Sequence, residues 1–168
     1  MLKLMLPTAA LALAMTGSAA PAQAALGPDA PSCRSGANNP AILVQVSGFK
    51  TRAGRVRVQL YGSNPDDFLA KGKKLRRIDL PVSGTGPMRV CVAVPKAGRY
   101  AIAVRHDTKA NGSDWSDGGG FSNNPKISLL SPKPKYNQVA IAVGNGVKPV
   151  SVVLNYRNGM SIGPVGHN

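Results

Sequence analysis

The residues best suited to chemistry lie together in the stretch HDTKANGSD. Asp107, Asn111 and Asp114 carry side-chain oxygens, and Gly112 stands where the sixth position of a calcium-binding loop requires glycine. Lys109, however, stands at the third position, where a ligand oxygen is expected, and the chain has no glutamate to close a site. The stretch therefore permits two interpretations. It is a calcium site built from Asp107, Asn111 and Asp114, or it is a loop that Asp107 and Asn111 shape by bonding to the backbone.

Catalysis by this stretch would need a base beside a nucleophile. His106 and Asp107 are consecutive at the predicted end of a strand, so their side chains point to opposite faces. The second histidine, His167, is close to the C-terminus. No base–nucleophile constellation is recognisable, and the glycine run 118–120 precedes no predicted helix, as a nucleotide-binding loop would. We therefore expect a non-catalytic protein with no cofactor besides the calcium considered above.

The long predicted loop 107–137 contains the only tryptophan of the chain, Trp115. Long loops on β-rich proteins often carry binding function, and an exposed tryptophan there could stack on a sugar or anchor a partner. The alternative is that Trp115 folds back and plugs the open end of the domain. The candidate binding site of this region comprises His106, Asp107, Asn111, Asp114, Trp115, Phe121, Asn123 and Asn124.

Residues 1–24 have the three parts of a secretory signal peptide. Lys3 supplies a positive start, residues 4–15 are mostly apolar, and the sequence AQA ends at Ala24 as a cleavage site. The apolar run is shorter than the roughly 20 residues of a membrane-spanning helix. We therefore expect Sec-type export with cleavage after Ala24. The mature protein, residues 25–168, would be periplasmic or secreted and would not span a membrane.

Export also bears on the two cysteines, Cys33 and Cys91. In an oxidising compartment an even pair is expected to form a disulfide, worth on the order of 4 kcal/mol for a loop of this length. Residues 25–40 are rich in proline, glycine and asparagine, which predicts an extended tail with no structure of its own. Cys91 alternates with the apolar residues of its predicted strand and should point away from the core. The disulfide would therefore strap the tail across the outer face of a sheet.

The chain is strongly basic: 21 lysines and arginines oppose 7 acidic residues, and the formal net charge is +14. A field of this size attracts polyanions. Outside the cytoplasm these would be anionic envelope lipid or polysaccharide rather than nucleic acid. The alternative is a solvated basic surface without a specific partner. The candidate basic patch comprises Arg55, Arg57, Lys73, Lys74, Arg76 and Arg77.

Apolar residues at every second position predict the elements that must position these side chains. The predicted strands cover residues 42–46, 56–60, 75–82, 88–94, 100–104, 139–143 and 150–154. A short helical turn is predicted at 64–70, a hairpin turn at Asn145-Gly146, and a flexible C-terminus over 158–168. Seven short strands favour an all-β fold, a seven-stranded antiparallel β-sandwich, with a small closed barrel as the alternative.

Three segments form an ordered pattern: ILVQVSGFKTRAGRVRVQLYGSNPDDFL from Ile42, GRYAIAVRHD from Gly98, and GFSNN from Gly120. Together they resemble the bacterial domain family of unknown function DUF2141, over residues 41–157. The resemblance implies an exported β-sandwich of immunoglobulin-like or transthyretin-like type and brings no known activity. In that family the loop resembles H-D-x-N-x-N-G-x-x-D, so Lys109 replaces one of its polar residues.

These observations together predict an exported, non-catalytic binding or interaction module of the cell envelope. Its contacts would come from the loop 107–124 and from the basic patch. The alternative is a calcium-dependent or carbohydrate-active domain that uses the same loop. The oligomeric state is left open by the sequence.

Overall fold

The computed structural model describes residues 24–166, which are mostly β-strand. The predicted signal peptide lies outside the described residues except for Ala24, and so does His167. The α-helix of the described part, α1 (Tyr136–Val139), is short. The strands are β1 (Ala41–Ser47), β2 (Arg55–Tyr61), β3 (Arg76–Pro81), β4 (Met88–Ala93), β5 (Gly98–Asp107), β6 (Gly118–Phe121), β7 (Ile141–Val143), β8 (Val147–Val153), β9 (Asn155–Asn158) and β10 (Ser161–Pro164).

The strands form two open sheets. In the smaller sheet, β1 lies between β4 and β8; the larger sheet has the order β10-β9-β6-β5-β2-β3, and β7 pairs with the start of β5. β1 and β8 run parallel. The predicted wholly antiparallel arrangement is therefore wrong at this pair, and the described residues form ten strands rather than seven.

One hydrophobic core joins the two sheets. Ile42 and Val44 of β1 are fully buried and belong to the same cluster as Val58 and Leu60 of β2. Because successive side chains of a strand point to opposite faces, the period-two pattern of the sequence puts these residues on the inner faces. The outer face of the larger sheet is thereby left for loops and for a site.

The N-terminal tail is tied to the outer face of the smaller sheet. Cys33 and Cys91 form the predicted disulfide, with their Cα atoms 5.9 Å apart, and the side chain of Cys91 is buried beneath the tail. The prediction that the tail lacks structure was wrong. Ala30–Cys33 is a 3₁₀ helix, and Leu26 pairs in parallel with Val90 at the edge of β4. The tail thus satisfies backbone groups that an open strand edge would leave unpaired.

Asp29 fixes the tail at a further point. Its buried carboxylate accepts hydrogen bonds from the backbone N–H of Ala93 and from Nε of Arg76, each at 3.0 Å. A buried carboxylate is costly unless it is paired and hydrogen-bonded. Arg76, a member of the predicted basic patch, therefore holds the tail against β3 and β4.

The predicted helical turn at 64–70 is confirmed. Pro65–Asp67 is a 3₁₀ helix, and the side chain of Asn64 accepts a hydrogen bond from the N–H of Asp66 at 3.2 Å. Residues 24–166 contain no helix that is long and apolar enough to cross a membrane.

One turn prediction, one prediction for the C-terminus and one loop prediction differ from the structure. Asn145-Gly146 does not close a hairpin, because β7 pairs with β5 whereas β8 pairs with β1. Of the C-terminus predicted to be flexible, the described residues 158–166 include β10, which pairs antiparallel with β9 across a turn at Gly159, whose φ is +58°. The glycine-rich segment Gly118–Phe121, predicted as loop, is β6 and pairs with β5.

Candidate functional site

The loop after β5 is organised by the side chain of Asp107. Its two carboxylate oxygens accept hydrogen bonds from the N–H groups of Asn111 at 3.2 Å and Gly112 at 2.9 Å. Burial alone would raise the pKa of this carboxyl group. The amide hydrogen bonds and the charge of Arg105 outweigh burial and lower the pKa below its usual value. Asp107 is thus an ionised residue whose oxygens are occupied in shaping the loop.

A second carboxylate, Asp117, closes the loop from its other end. It accepts hydrogen bonds from the N–H of Thr108 at 3.2 Å and from the N–H of Asp114 at 3.1 Å. The guanidinium group of Arg105 lies 3.5 Å from Asp107 and 3.7 Å from Asp117. Sequence reasoning considered Asp117 only as a possible oxygen donor to a metal, and it missed Arg105. The available signal was that Arg105 alternates with Asp107 on β5 and so shares its face.

The candidate calcium ligands Asp107 and Asp114 both have partners within the loop. Asp114 accepts hydrogen bonds from Nζ of Lys109 at 2.6 Å and from the N–H of Ser116 at 2.9 Å. The bond from Lys109 is the largest of the effects that lower the pKa of Asp114. Asn111 takes part through its backbone N–H, bonded to Asp107. Within residues 24–166, no group of three or more His, Cys, Asp or Glu residues is placed to hold a metal ion.

The side chain of His106 points to the face of β5 opposite that of Asp107, into the core, and is fully buried. Its Nε2 lies 2.8 Å from the carbonyl oxygen of Ala53, and its Nδ1 lies 2.6 Å from the hydroxyl of Tyr156. Since a carbonyl only accepts, Nε2 donates to Ala53, and we assign Nδ1 as the acceptor of the Tyr156 hydroxyl. Burial raises the pKa of Tyr156, which keeps its hydroxyl protonated. Both ring nitrogens are therefore used within the protein.

The segment Ser122-Asn123-Asn124 ties loops to strands. Ser122 Oγ accepts from the N–H of Ile102 at 3.0 Å, and Nδ2 of Asn123 donates to the carbonyl of Ala140 at 3.1 Å. The side chain of Asn124 bonds the edge of β8, accepting from Val153 N at 2.8 Å and donating to Ser151 O at 3.0 Å. Both asparagines have positive φ, which asparagine tolerates better than most residues. The side chains of Asn123 and Asn124, both members of the candidate binding site, are therefore hydrogen-bonded within the protein.

The candidate basic patch is divided by ion pairs. Arg57 and Arg77 share the carboxylate of Asp79, which accepts from Arg57 Nε at 2.7 Å. Lys73 lies 3.7 Å from Asp67. Arg76 is bonded to Asp29 as described above. Among the described residues, Arg55 and Lys74 are the two members of the patch that form no ion pair.

Sequence reasoning also passed over the segment GMSIG, which matches the Gly-x-Ser-x-Gly sequence of serine hydrolases. In those enzymes the serine occupies a sharp turn between a strand and a helix. Here Ser161 begins β10 in a hairpin, and its hydroxyl donates to the carbonyl of Asn158 at 3.0 Å. The segment therefore lacks the local geometry of a nucleophile elbow.

The outer face of the larger sheet is partly covered by an aromatic cluster. The ring of Phe68, in the loop after β2, lies 5.4 Å from Tyr61 and 6.1 Å from both Phe121 and Tyr136 in edge-on contacts. Burial raises the pKa of Tyr61. The cluster packs the β2–β3 loop and α1 onto the sheet, and it leaves the part of the face near β6 open.

The open part is a groove of about 530 Å³, here called the lysine groove. Its walls and floor include Lys71, Lys74, Ala103, Gly119, Phe121 and Lys133. Within the described residues, none of the three lysines forms an ion pair. The volume lies in the range of about 300–1,000 Å³ that is usual for ligand pockets.

Glycine forms part of the floor for a steric reason. A Cβ on Gly118 would lie 2.4 Å from the ring of Tyr156, and one on Gly120 would lie 2.7 Å from Val152 and from the carbonyl oxygen of Val153. These two glycines let β6 approach β8 and β9. Gly119 points to the opposite face, where a Cβ would meet nothing within 4 Å. It leaves the groove open.

A smaller groove of about 220 Å³, here called the tryptophan groove, adjoins the first. Its lining includes Trp115, Leu129, Arg157 and Ile162, and it shares Asp117, Gly119 and Phe121 with the lysine groove. Trp115 is 79% exposed. It therefore does not plug the domain, and the interpretation that it folds back was wrong.

Comparison with protein families gives a match. A family model described as "Uncharacterized protein conserved in bacteria (DUF2141)" matches residues 44–151. No curated protein and no solved structure matches significantly.

Proposed function

The chain belongs to the DUF2141 family, and from this premise we propose that it is an exported, non-catalytic β-sandwich that binds an anionic polysaccharide of the cell envelope in the lysine groove. The sandwich is of immunoglobulin-like or transthyretin-like type, and the segment 1–24 directs it to the periplasm or the medium. The observation that carries the proposal is the convergence on one open groove of Lys71, Lys74 and Lys133, which form no ion pair with any residue of the described range 24–166.

Unpaired cations around a concave floor favour an anionic ligand. Four basic residues line the lysine groove, because Arg105 joins the three lysines, against the single carboxylate of Asp117. That carboxylate is already bonded to two backbone amides and lies near Arg105. A cleft lined by one sign of charge focuses the field and raises the local concentration of ligands of the opposite sign.

The arrangement of the unpaired lysines around a groove favours a polysaccharide chain over a lipid surface as the ligand. A flat bilayer would dock best on a flat basic face. The predicted basic patch, which could serve as such a face, is instead neutralised in part by Asp79, Asp67 and Asp29. The free lysines lie around a groove, which receives a chain, and the groove continues beside Trp115.

The arrangement of the polar residues supports a binding rather than a catalytic role. His106 has both ring nitrogens engaged in the core, and the carboxylates of Asp107, Asp114 and Asp117 are engaged in shaping the loop. None of these groups is free to act as a base or nucleophile toward a ligand in the lysine groove.

The test is titration calorimetry of the purified, disulfide-bonded protein with oligogalacturonate, a uniformly acidic oligosaccharide, and with neutral dextran. We expect binding to oligogalacturonate only, weakened steeply by salt. The variant K71Q/K74Q/K133Q should lose most of this binding. The matched control K96Q/K126Q/K148Q removes the same charge from exposed lysines outside the groove and should keep most of the binding.

A second variant tests the groove without a change of charge. Gly119→Val places a side chain into open space on a strand, at a φ that a β-branched residue can adopt. We expect it to fold normally and to block binding. Equal losses in the two lysine variants would overturn the proposal. So would a Gly119→Val protein that binds normally, or binding to phosphatidylglycerol vesicles that does not depend on the groove.

A further inference from the structure

Trp115 is held as a flat platform above the sheet. The Cζ atom of Arg157, on β9, lies 4.8 Å from the centroid of its ring, so one face of the indole is covered by the guanidinium group. The residue is 79% exposed, which leaves the other face to solvent. An amphipathic ring with one free face is suited to stacking against the apolar face of a sugar.

The loop that carries the tryptophan is fixed before any ligand arrives. The residues on either side of it are tied together, because the N–H of Ser116 donates to Asp114 at 2.9 Å. Asp107 and Asp117 hold the rest of the loop through backbone amides. A preorganised side chain loses little conformational freedom on binding, so its contact contributes more to affinity.

The tryptophan groove differs in charge from the lysine groove that it adjoins. Besides its apolar lining, it contains the carboxylates of Asp114 and Asp117 and the guanidinium of Arg157. No lysine is among the described residues that line the tryptophan groove, so an acidic sugar would gain little there, whereas an uncharged sugar would meet the indole and the apolar residues. The two grooves share Gly119 and Phe121, so adjacent units of one chain can occupy them together.

We propose that Trp115 and Arg157 form a stacking subsite for an uncharged sugar ring, and that the ligand is a polysaccharide in which an uncharged sugar adjoins an acidic one. This inference rests on the proposed function, because the acidic unit occupies the lysine groove. It adds a specificity that charge alone does not give. A chain of alternating units fits both grooves, whereas a uniformly acidic chain fits one.

The test compares a hyaluronan octasaccharide, whose acidic and uncharged units alternate, with an oligogalacturonate of equal length. Because the chain has one tryptophan, its fluorescence reports on Trp115 alone. We expect hyaluronan to change the fluorescence and to bind more tightly. Trp115→Ala should weaken hyaluronan binding about tenfold and leave oligogalacturonate binding nearly unchanged. Arg157→Lys keeps the charge, removes the planar stacking partner, and should weaken hyaluronan binding by a smaller factor.

The outcomes separate this inference from the proposed function. If neither oligosaccharide binds, the proposed function fails and the stacking subsite falls with it. If oligogalacturonate binds and hyaluronan gains nothing from Trp115, the lysine groove stands and the stacking subsite is refuted. Thermal unfolding of both variants checks the fold, and we expect their midpoints to match the parent because both side chains are exposed.

Discussion

At the scale of single residues, most of the polar side chains that the sequence indicated as candidate ligand-binding groups are hydrogen-bonded to the protein's own backbone. Asp107 holds two amides of its loop, and Asn124 holds the edge of β8. Short polar side chains bond nearby backbone groups readily, which makes loop-shaping residues and ligand-binding residues look alike in a sequence. The distinction lies in whether the polar atoms are already occupied.

Asn124 offers a test of this structural role. Its φ is +46°, and its side chain makes two hydrogen bonds to β8. We expect Asn124→Ala to lower the free energy of unfolding by about 2 kcal/mol, from the lost bonds and from the strain of a left-handed alanine. Asn124→Gly should cost about 1 kcal/mol less than alanine, because glycine adopts this φ freely. Urea unfolding measures both, and equal stability of Asn124→Ala and the parent would contradict the assignment.

Asp107 makes the stability depend on pH in a defined direction. Its pKa in the folded protein is lower than the usual value of 3.8, so the folded state binds fewer protons. The stabilisation is fully present above the usual pKa and is lost as the pH falls through the folded value. We expect the difference in thermal midpoint between the parent and Asp107→Asn to shrink between about pH 5 and pH 2.

Asp66→Asn is the control for that experiment. Asp66 is exposed, and its carboxylate forms no ion pair within residues 24–166. The difference in thermal midpoint between Asp66→Asn and the parent should stay constant over the same pH range. If the difference for Asp107→Asn were constant as well, the carboxylate of Asp107 would not stabilise the loop.

At the scale of elements, the glycine-rich strand β6 determines most about the site, because it shapes both the packing of the sheet and the floor of the lysine groove. Glycine is depleted in strands, so β-propensity assigns this segment to a loop. The structure gives the physical reason for the exception. Gly118 and Gly120 permit close packing against β8 and β9, and Gly119 leaves the outer face open. β6, whose first three residues have no side chains, therefore joins β5 to β9 in the larger sheet and contributes to the floor of the lysine groove.

The tail is the second element with a testable role. We expect Cys33→Ala/Cys91→Ala to lower the free energy of unfolding by about 4 kcal/mol, because the disulfide closes a loop with a sequence separation of 58. The protein should still unfold in one cooperative step, since Leu26 and Asp29 also hold the tail. Asp29→Asn, with the disulfide intact, is the comparison and should lower the free energy of unfolding by less. If the double cysteine variant were as stable as the parent, the disulfide would contribute nothing to stability.

The sequence could predict the elements but not their partners. Alternation identified β1, β2 and β5, and the position of Cys91 in that alternation identified the face that the tail covers. The parallel pairing of β1 with β8 has no local signal, because it depends on contacts between residues far apart in the chain. The lysine groove was missed for the same reason: Lys71, Gly119 and Lys133 belong to three separate segments. Their proximity is a property of the fold.

At the scale of the whole molecule, most acidic residues are neutralised by nearby basic side chains, whereas the surplus of basic residues gives the protein a net positive field. Within the part of the chain that the structure describes, six of the seven aspartates form ion pairs, and Asp66 is the exception. The excess of positive charge therefore remains distributed over the surface. Such a field steers a polyanion toward the protein from any direction, whereas retention depends on the contacts inside the groove.

This division predicts different kinetics for two variants of equal net charge. K96Q/K126Q/K148Q weakens the general field and should lower the association rate for oligogalacturonate several-fold at low salt, with little change in dissociation. K71Q/K74Q/K133Q weakens the field equally and also removes the groove contacts, so its dissociation should be faster as well. Surface plasmon resonance at two salt concentrations separates the rates. If the two variants differ only in association, the lysines act through long-range attraction alone, and the groove is not where the ligand is held.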